Sequence, residues 1–378
     1  MREVIIASAG IVTSLGPTLD DAWEGLMEGR TAISDLSRFS PDPYRVRIAA
    51  CIEGLQGDGG RSMICDLLGR ICAASADIPR DSTLILATTK AGIDNLEKRK
   101  KGLPARIPDI FPSSLAAFVS RKLDLSSPGF NVSAACASST VAVGLGASLI
   151  SSGTTESVFI CCADIVTEFV FSGFSALQAL SPRPARPFDR NRSGLSLGEG
   201  AAYLHLISPE RAGIDKIVPR FAIAGWGAAN DAFHLTSPAP DGSGLRDAVG
   251  RAMERASVQP EEIAAISAHG TGTVHNDLME IKAFRSVFGD RVPPAYSVKG
   301  AIGHTFGAAG GIEVVLATKV LSTRTVPPTV GFRDPEEGAE GMVHSHPVPI
   351  DGRYLIATNS GFGGVNAAVI LKDLNPNR

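Results

Sequence analysis

Apolar and polar positions along the chain fall into short blocks that alternate between two periods. Residues 4–8, 82–88, 158–162 and 201–207 are strand-length runs rich in apolar or β-branched side chains. Residues 18–28 and 61–76 carry apolar side chains at helical spacing, and Asp20 and Asp21 suit the first turn of the earlier helix. A further helix follows Pro112, and the Pro-, Arg- and Gly-rich stretch from residue 172 to 200 reads as an ordered loop. The second half repeats the plan. Residues 217–228 read as a strand pair, 244–256 as an amphipathic helix, 263–268 as a strand, 278–288 as a helix and 295–298 as a strand. Strands at 354–357 and 365–371, joined by SGFGG, close the chain.

One stretch stands apart. Residues 131–153, NVSAACASSTVAVGLGASLISSG, hold no charge and too many Ser and Gly for a membrane span. The pattern predicts a strand ending near Ala134, a sharp turn at Cys136 and a buried helix. Cys136 would then lie at the positive end of a helix dipole, where a thiolate is favoured. KGAIGHTFGAAGGIEVVLATKVL, from Lys299, has the same form: a strand, a turn with reactive side chains, then a small-residue helix. Two such units predict α/β layers around two sheets, with both buried helices meeting at the centre and their N-termini near one point. The halves fall at 1–210 and 211–378, and without a low-complexity linker they should pack tightly.

Composition narrows the function classes. The chain has 378 residues, 44% of them hydrophobic and 20% charged, with mean hydropathy +0.12, so it is core-rich and globular. A net charge of -3 gives no pull toward nucleic acid or membrane, and 6% aromatic content argues against a base-stacking surface. Six cysteines without CxxC spacing, behind an N-terminus that reads directly as a strand, lead us to expect a reduced, cytoplasmic setting.

Three segments carry candidate chemistry: Cys136; SAHGTGTVHND with His269 just past a buried strand; and KGAIGHTFGAAGG with Lys299 and His304 at the mouth of the second buried helix. A cysteine nucleophile with two histidines fits covalent acyl chemistry, in which thiolate attack divides a hard transfer into two easier steps. The alternative imidazole cluster, His344, His346 and His275, lacks third and fourth ligands at metal-binding spacing, so no metal is expected.

These motifs are collinear with those of a known family. ACASS at 135, SGFSALQALS, RPFDRNRSG followed by LGEGA, NDAFHLTSP, HGTGT, KGAIGHTFGAAGGIE and GFGGVN together resemble the elongating β-ketoacyl-acyl carrier protein synthases of the thiolase superfamily. The resemblance implies a duplicated α-β-α-β-α thiolase-like fold and a Cys-His-His site. Cys136 corresponds to the acyl-accepting nucleophile, and His269 and His304 to the pair that stabilises an enolate left when malonyl thioester loses carbon dioxide. Each well-placed donor would be worth ~3–4 kcal/mol. Lys299 and Glu313 match a supporting charged pair, Phe362 and Gly363 the oxyanion and gate segment, and Thr271 and Thr273 the hydroxyls that bond pantetheine amides. Asp231, His234 and Thr236 match a loop bordering the substrate tunnel. Starter-unit relatives carry His and Asn, and thiolases a second Cys, so two histidines favour decarboxylative elongation.

The resemblance also implies partners and substrates. The family docks an acidic acyl carrier protein on a basic patch, for which Lys98, Arg99, Lys100, Lys101, Arg106 and Arg186 are the candidates. No cofactor is expected, since substrates arrive on phosphopantetheine. A homodimer is expected, with a heterodimer with a related subunit as the variant. Ser360 stands where the family pattern NSFGFGGTN has Phe, and the loop is one residue shorter. Segments 112–128 and 181–186 are also short, and all three lie where the acyl pocket and dimer contacts are built. The competing class is a non-catalytic, chain-length-determining partner subunit, which would keep the fold and lose turnover.

Overall fold

The computed structural model describes residues 2–75 and 77–375. Ten strands form the main sheet: β1 (Val4–Thr13), β2 (Thr83–Ala87), β3 (Phe130–Val132), β4 (Ser157–Asp164), β5 (Gly200–Ile207), β6 (Phe221–Asn230), β7 (Ile263–Ser267), β8 (Ala295–Tyr296), β9 (Tyr354–Gly361) and β10 (Val365–Asp373). Their spatial order is β3-β2-β4-β5-β1-β6-β10-β9-β7-β8. Strands β3, β2 and β4 are parallel, with β5 and β1 added antiparallel; β8, β7 and β9 are parallel, with β10 and β6 added antiparallel. The two five-strand sets thus share one topology. They are continuous rather than two separate sheets as expected, because Val4–Ile6 of β1 pairs with Phe221–Ile223 of β6.

The layers follow from the period-2 alternation of the strands. In β2, Leu84 and Leu86 face outward onto helices α1 (Met63–Ala74) and α2 (Pro112–Lys122), while Ile85 and Ala87 face the centre. In β9 and β10, Ile356, Ala368 and Ile370 pack outward, and Leu355, Ala357, Val369 and Leu371 inward. Between the sets lie α3 (Ser138–Ser151) and α6 (Ala309–Thr323), both touching strands of either half; α4 (Ser243–Ala256) and α5 (Val274–Phe288) form the far outer layer. The stretch Phe306–Thr323 is long and apolar enough to cross a membrane by length and composition, but it is the central core helix, 83% buried. Burying each large aliphatic side chain of this core contributes roughly 1.5–3 kcal/mol.

Small residues bring α3 and α6 together. A Cβ at Gly310 would lie 1.9 Å from Thr140 Oγ1, and one at Gly311 would lie 2.4 Å from Cys162 Sγ. The Gly311 N–H donates to Ser139 Oγ at 2.8 Å, so the two N-terminal turns are in direct contact.

Some local expectations are corrected. Residues 172–176 belong to the helix Glu168–Ala176, whose Thr167 side chain caps its N-terminus, because apolar residues at helical spacing outweigh the loop-like tail that follows. Residues 217–228 yield one strand, β6, rather than a pair. The expected helix at 61–76 spans Met63–Ala74, and Ala76 lies outside the described residues.

Candidate active site

Cys136 is presented by a turn rather than by the helix itself. Ala135 adopts φ +49°, and Ser138 Oγ clamps the turn by accepting from Ala134 N–H (2.8 Å) and donating to the Ala135 carbonyl (2.6 Å). The residue therefore stands just ahead of α3. The turn after β9 closes over it: a Cβ at Gly361 would lie 3.1 Å from Cys136 N, and the Phe362 backbone N–H is placed where it favours a thiolate on Cys136. Cys136 is half-open on its cavity side and enclosed by protein elsewhere.

A cavity of about 340 Å³ opens onto it, lined by Cys136, His269, His304, Thr271, Thr273, Thr236, Ser360, Phe362 and Gly363 among others. The two imidazoles meet edge-on with centroids 5.2 Å apart. His269 follows β7, and its N–H and that of Gly270 donate to Glu280 of α5 at 2.7 and 2.6 Å. His304 is fixed by its backbone against the LGEGA segment: its N–H donates to Ser196 O (2.7 Å), and its carbonyl accepts from Gly198 N–H (3.0 Å). Gly303, at φ +69°, turns the chain there, and a Cβ would lie 2.6 Å from Leu197 O.

Behind His269 lies a buried polar chain. Lys299 Nζ pairs with Glu313 Oε1 at 2.5 Å. The Asn359 amide donates to Glu313 Oε2 (2.8 Å) and lies 3.1 Å from His269 Nδ1, while its oxygen accepts from Thr140 Oγ1. Every member is at least nine-tenths buried. Lys299 and Glu313 thus stand behind the cavity wall rather than in it.

Electrostatics set the protonation states. Burial, reinforced by the Lys299 charge, holds both His269 and His304 well below the usual imidazole value, so both are neutral at pH 7. Burial also pushes the Cys136 thiol up to about 11, with Lys299, Lys90 and the Phe362 N–H pulling the other way. The expectation of a resting thiolate is corrected on that point: the residue rests as a thiol because the enclosure that shields it from water also disfavours its anion. Burial raises the Glu313 carboxyl, against the pull of Lys299. Glu280 rises to about 8 for the same first cause, with Asp277 adding to it.

The other sequence-predicted residues divide into those that line the cavity and those that hold its walls. Thr271 and Thr273 line it and bond each other at 2.9 Å. Asp231 and His234 organise the loop rather than line it. Asp231 accepts from the N–H groups of Phe233 and Ala239, and His234 Nδ1 accepts from those of Thr236 and Ser237. The Gly363 N–H is engaged by Leu235 O at 2.8 Å, so it tethers the gate and is not free to serve an oxyanion. Phe362 stacks on Phe174 (5.8 Å between centroids), which packs on Phe306, which stacks in turn on His304.

The basic candidates are not equivalent. Lys98 is tied to Asp94 (2.9 Å), Lys101 to Glu168 (2.7 Å) and Arg106 to Asp109 (3.4 Å), so these three are spent largely on local ion pairs. Arg99 and Lys100 are exposed with no ion-pair partner among the described residues, and half-buried Arg186 sits beside the Gly272 turn. No group of three or more His, Cys, Asp or Glu among the described residues could hold a metal. Sequence reasoning missed Asn359, Thr140 and Glu280. Asn359 immediately precedes the SGFGG stretch and Thr140 lies four residues beyond Cys136, but nothing local indicates their partners.

This arrangement is that of a condensing enzyme, and comparison with known proteins agrees. Residues 73–212 match the β-ketoacyl synthase N-terminal domain and residues 220–333 the β-ketoacyl synthase C-terminal domain, and the chain belongs to the β-ketoacyl synthase family. It is 29% identical over 411 residues to the 3-oxoacyl-[acyl-carrier-protein] synthase 2 of Vibrio harveyi, covering 99% of both chains. Among solved structures, the ishigamide ketosynthase/chain length factor superposes with TM-score 0.91 at 27% identity, covering 99% of this chain and 100% of that one. A β-ketoacyl synthase from Burkholderia phymatum gives TM-score 0.89 at 26% identity with the same coverage. The layered, duplicated architecture is therefore the thiolase-like ketosynthase fold.

Proposed function

We propose that the protein is an acyltransferase that performs a decarboxylative Claisen condensation, joining an acyl group held on Cys136 to malonyl-acyl carrier protein. The observation that carries this reading is one cavity holding a cysteine at a helix N-terminus and two buried, neutral imidazoles. In the first step Cys136 sulfur attacks the acyl thioester carbonyl, and the pantetheine thiol departs with the proton the cysteine gives up. The Phe362 N–H and the α3 dipole stabilise negative charge on that sulfur as it forms. The Cys136 and Phe362 N–H groups are the candidates for the carbonyl oxyanion.

In the second step the malonyl carboxyl carbon leaves as carbon dioxide, and its bonding pair passes into an enolate. Neutral imidazoles donate to that oxygen without a competing positive charge; a removed donor of this kind costs about 10²–10³-fold in rate. The enolate carbon attacks the acyl carbonyl, and Cys136 leaves as thiolate and regains a proton. Thr271 and Thr273, on the cavity wall, would bond the pantetheine amides, and no cofactor of the protein's own is needed.

Arg99, Lys100 and Arg186 form our proposed docking surface for an acidic acyl carrier protein. Edge strand β3, where Phe130 is 42% exposed, supports pairing with a second copy or with a related subunit. Six free thiols fit a reduced, cytoplasmic setting. The retained Cys136, in a formed cavity, argues against a non-catalytic partner subunit. Ser360, in place of the expected Phe, lines the cavity and bonds Asn366 at 2.6 Å, which leaves more room for the acyl group. The pathway is fatty-acid synthesis or a specialised polyene or polyketide route. Incubation with acyl- and malonyl-carrier protein should release carbon dioxide and β-ketoacyl-carrier protein in equal amounts. Carbon dioxide release that is independent of Cys136 acylation, with no condensed product, would overturn the condensation.

A further inference from the structure

Asn359 has no mechanistic role so far, yet its amide is bonded on all three sides by buried groups. An amide side chain can be turned either way, and its orientation is decided by its partners. Here the partners leave one solution. Glu313 Oε1 is already paired with the Lys299 ammonium, so its other oxygen, Oε2, is a charged acceptor 2.8 Å from the amide and must face the NH₂ end. Turning the amide over would set two oxygens at that distance in a site that excludes water, which is strongly unfavourable. The opposite end then faces Thr140 Oγ1, whose hydroxyl donates to it. The remaining amide hydrogen points at His269 Nδ1, 3.1 Å away. A nitrogen that receives a hydrogen bond carries no proton, so the single proton of the neutral ring sits on Nε2.

We propose that Asn359 is a positioning residue that, held between Thr140 and the Lys299–Glu313 pair, locks His269 in the Nε2–H tautomer. The inference rests on the reading of His269 as a donor to a thioester oxygen, and it explains why a buried ion pair stands behind that ring without touching the cavity. The charge on Glu313 is read out at His269 as a hydrogen-bond direction, carried by one amide. Thr140 belongs to the same device. It lies in the first turn of α3, four residues past Cys136, so the helix that follows the nucleophile also holds the orientation of the donor.

The test is the tautomer itself, read by ¹⁵N NMR on histidine-labelled protein without substrate, alongside Cys136 acylation and malonyl-thioester decarboxylation. His269 should show Nε2–H in the wild type. Asn359→Asp presents an oxygen to Nδ1 and should move a proton there, with decarboxylation falling about 10²-fold while acylation changes by no more than a few-fold. Thr140→Val should weaken decarboxylation and Thr140→Ser restore it; this nearly isosteric pair serves if Asn359→Asp does not fold. A wild-type Nδ1–H tautomer would overturn the proposal, as would equal loss of acylation and decarboxylation in the variants. Because the tautomer is measured without turnover, its failure is distinct from failure of the condensation reading.

Discussion

Replacing Gly310 by Ala sets two effects of opposite sign against each other. Gly310 is the second residue of α6, and by helix propensity alone Ala should stabilise by about 1 kcal/mol. The added Cβ, however, would lie 1.9 Å from Thr140 Oγ1 and 2.5 Å from Asn359 Oδ1. The first distance is roughly 1.5 Å short of van der Waals contact. Neither neighbour can swing away, because each is buried and they are bonded to one another. Overpacking of this kind costs about 1–3 kcal/mol, and loss of the Thr140–Asn359 bond about 1 more. The net expectation is a loss of about 1–3 kcal/mol. Gly250 supplies the control: it is an exposed position of α4 with nothing within 4 Å of an added Cβ, and Gly250→Ala should stabilise by about 0.5–1 kcal/mol. Urea unfolding midpoints, compared at equal slope, read both. Equal stabilisation by the two substitutions would refute the claim that close approach of α3 and α6 requires a small residue at this position.

Three further outcomes follow from the site and its surroundings. His304→Ala should leave Cys136 acylation within a few-fold and cut malonyl decarboxylation about 10²–10³-fold; wild-type decarboxylation would remove His304 as a donor. With its thiol held up to about 11, Cys136 should react with iodoacetamide roughly tenfold faster for each pH unit between 7 and 10, and a rate already flat near pH 7 would contradict this. Outside the site, burial depresses His205, bonded to Ser157 Oγ at 2.8 Å, to about 4. Its neutral form is favoured in the folded state, so its contribution is complete above the unfolded value near 6.5 and is lost as pH falls toward 4. About 3 kcal/mol is involved, and His205→Asn should flatten the slope of unfolding free energy across that window.

The chemical residues were legible because their signal is local. Cys136 and His269 each sit just past a strand, His304 sits just past a short helical turn, small residues lie beyond all three, and the folded chain brings them to one cavity. The small-residue helices announced their own contact. What was not legible depends on partners far away in sequence. Asn359 acts on residues 46, 90 and 219 positions distant, so nothing beside it indicates an amide pinned between a carboxylate and an imidazole. The basic run gave its charge count but not its pairing, and Lys101 is joined to an acid 67 residues on. The helix dipole at Cys136 could be read from the pattern, whereas the enclosure that raises the thiol could not. Continuity of the sheet rests on the short β1–β6 pairing, whose residues read as two ordinary strand starts.

Transfer of an acyl group to one thiol is the central claim. Intact-protein mass spectrometry after exposure to acyl carrier proteins bearing chains of different length tests it directly. The mass should rise by one acyl group for the chains that the cavity accepts, the label should map to Cys136, and it should disappear as condensed product when malonyl-carrier protein is added. A protein that stays unmodified with every chain length, or one acylated equally well after Cys136→Ala, would contradict it.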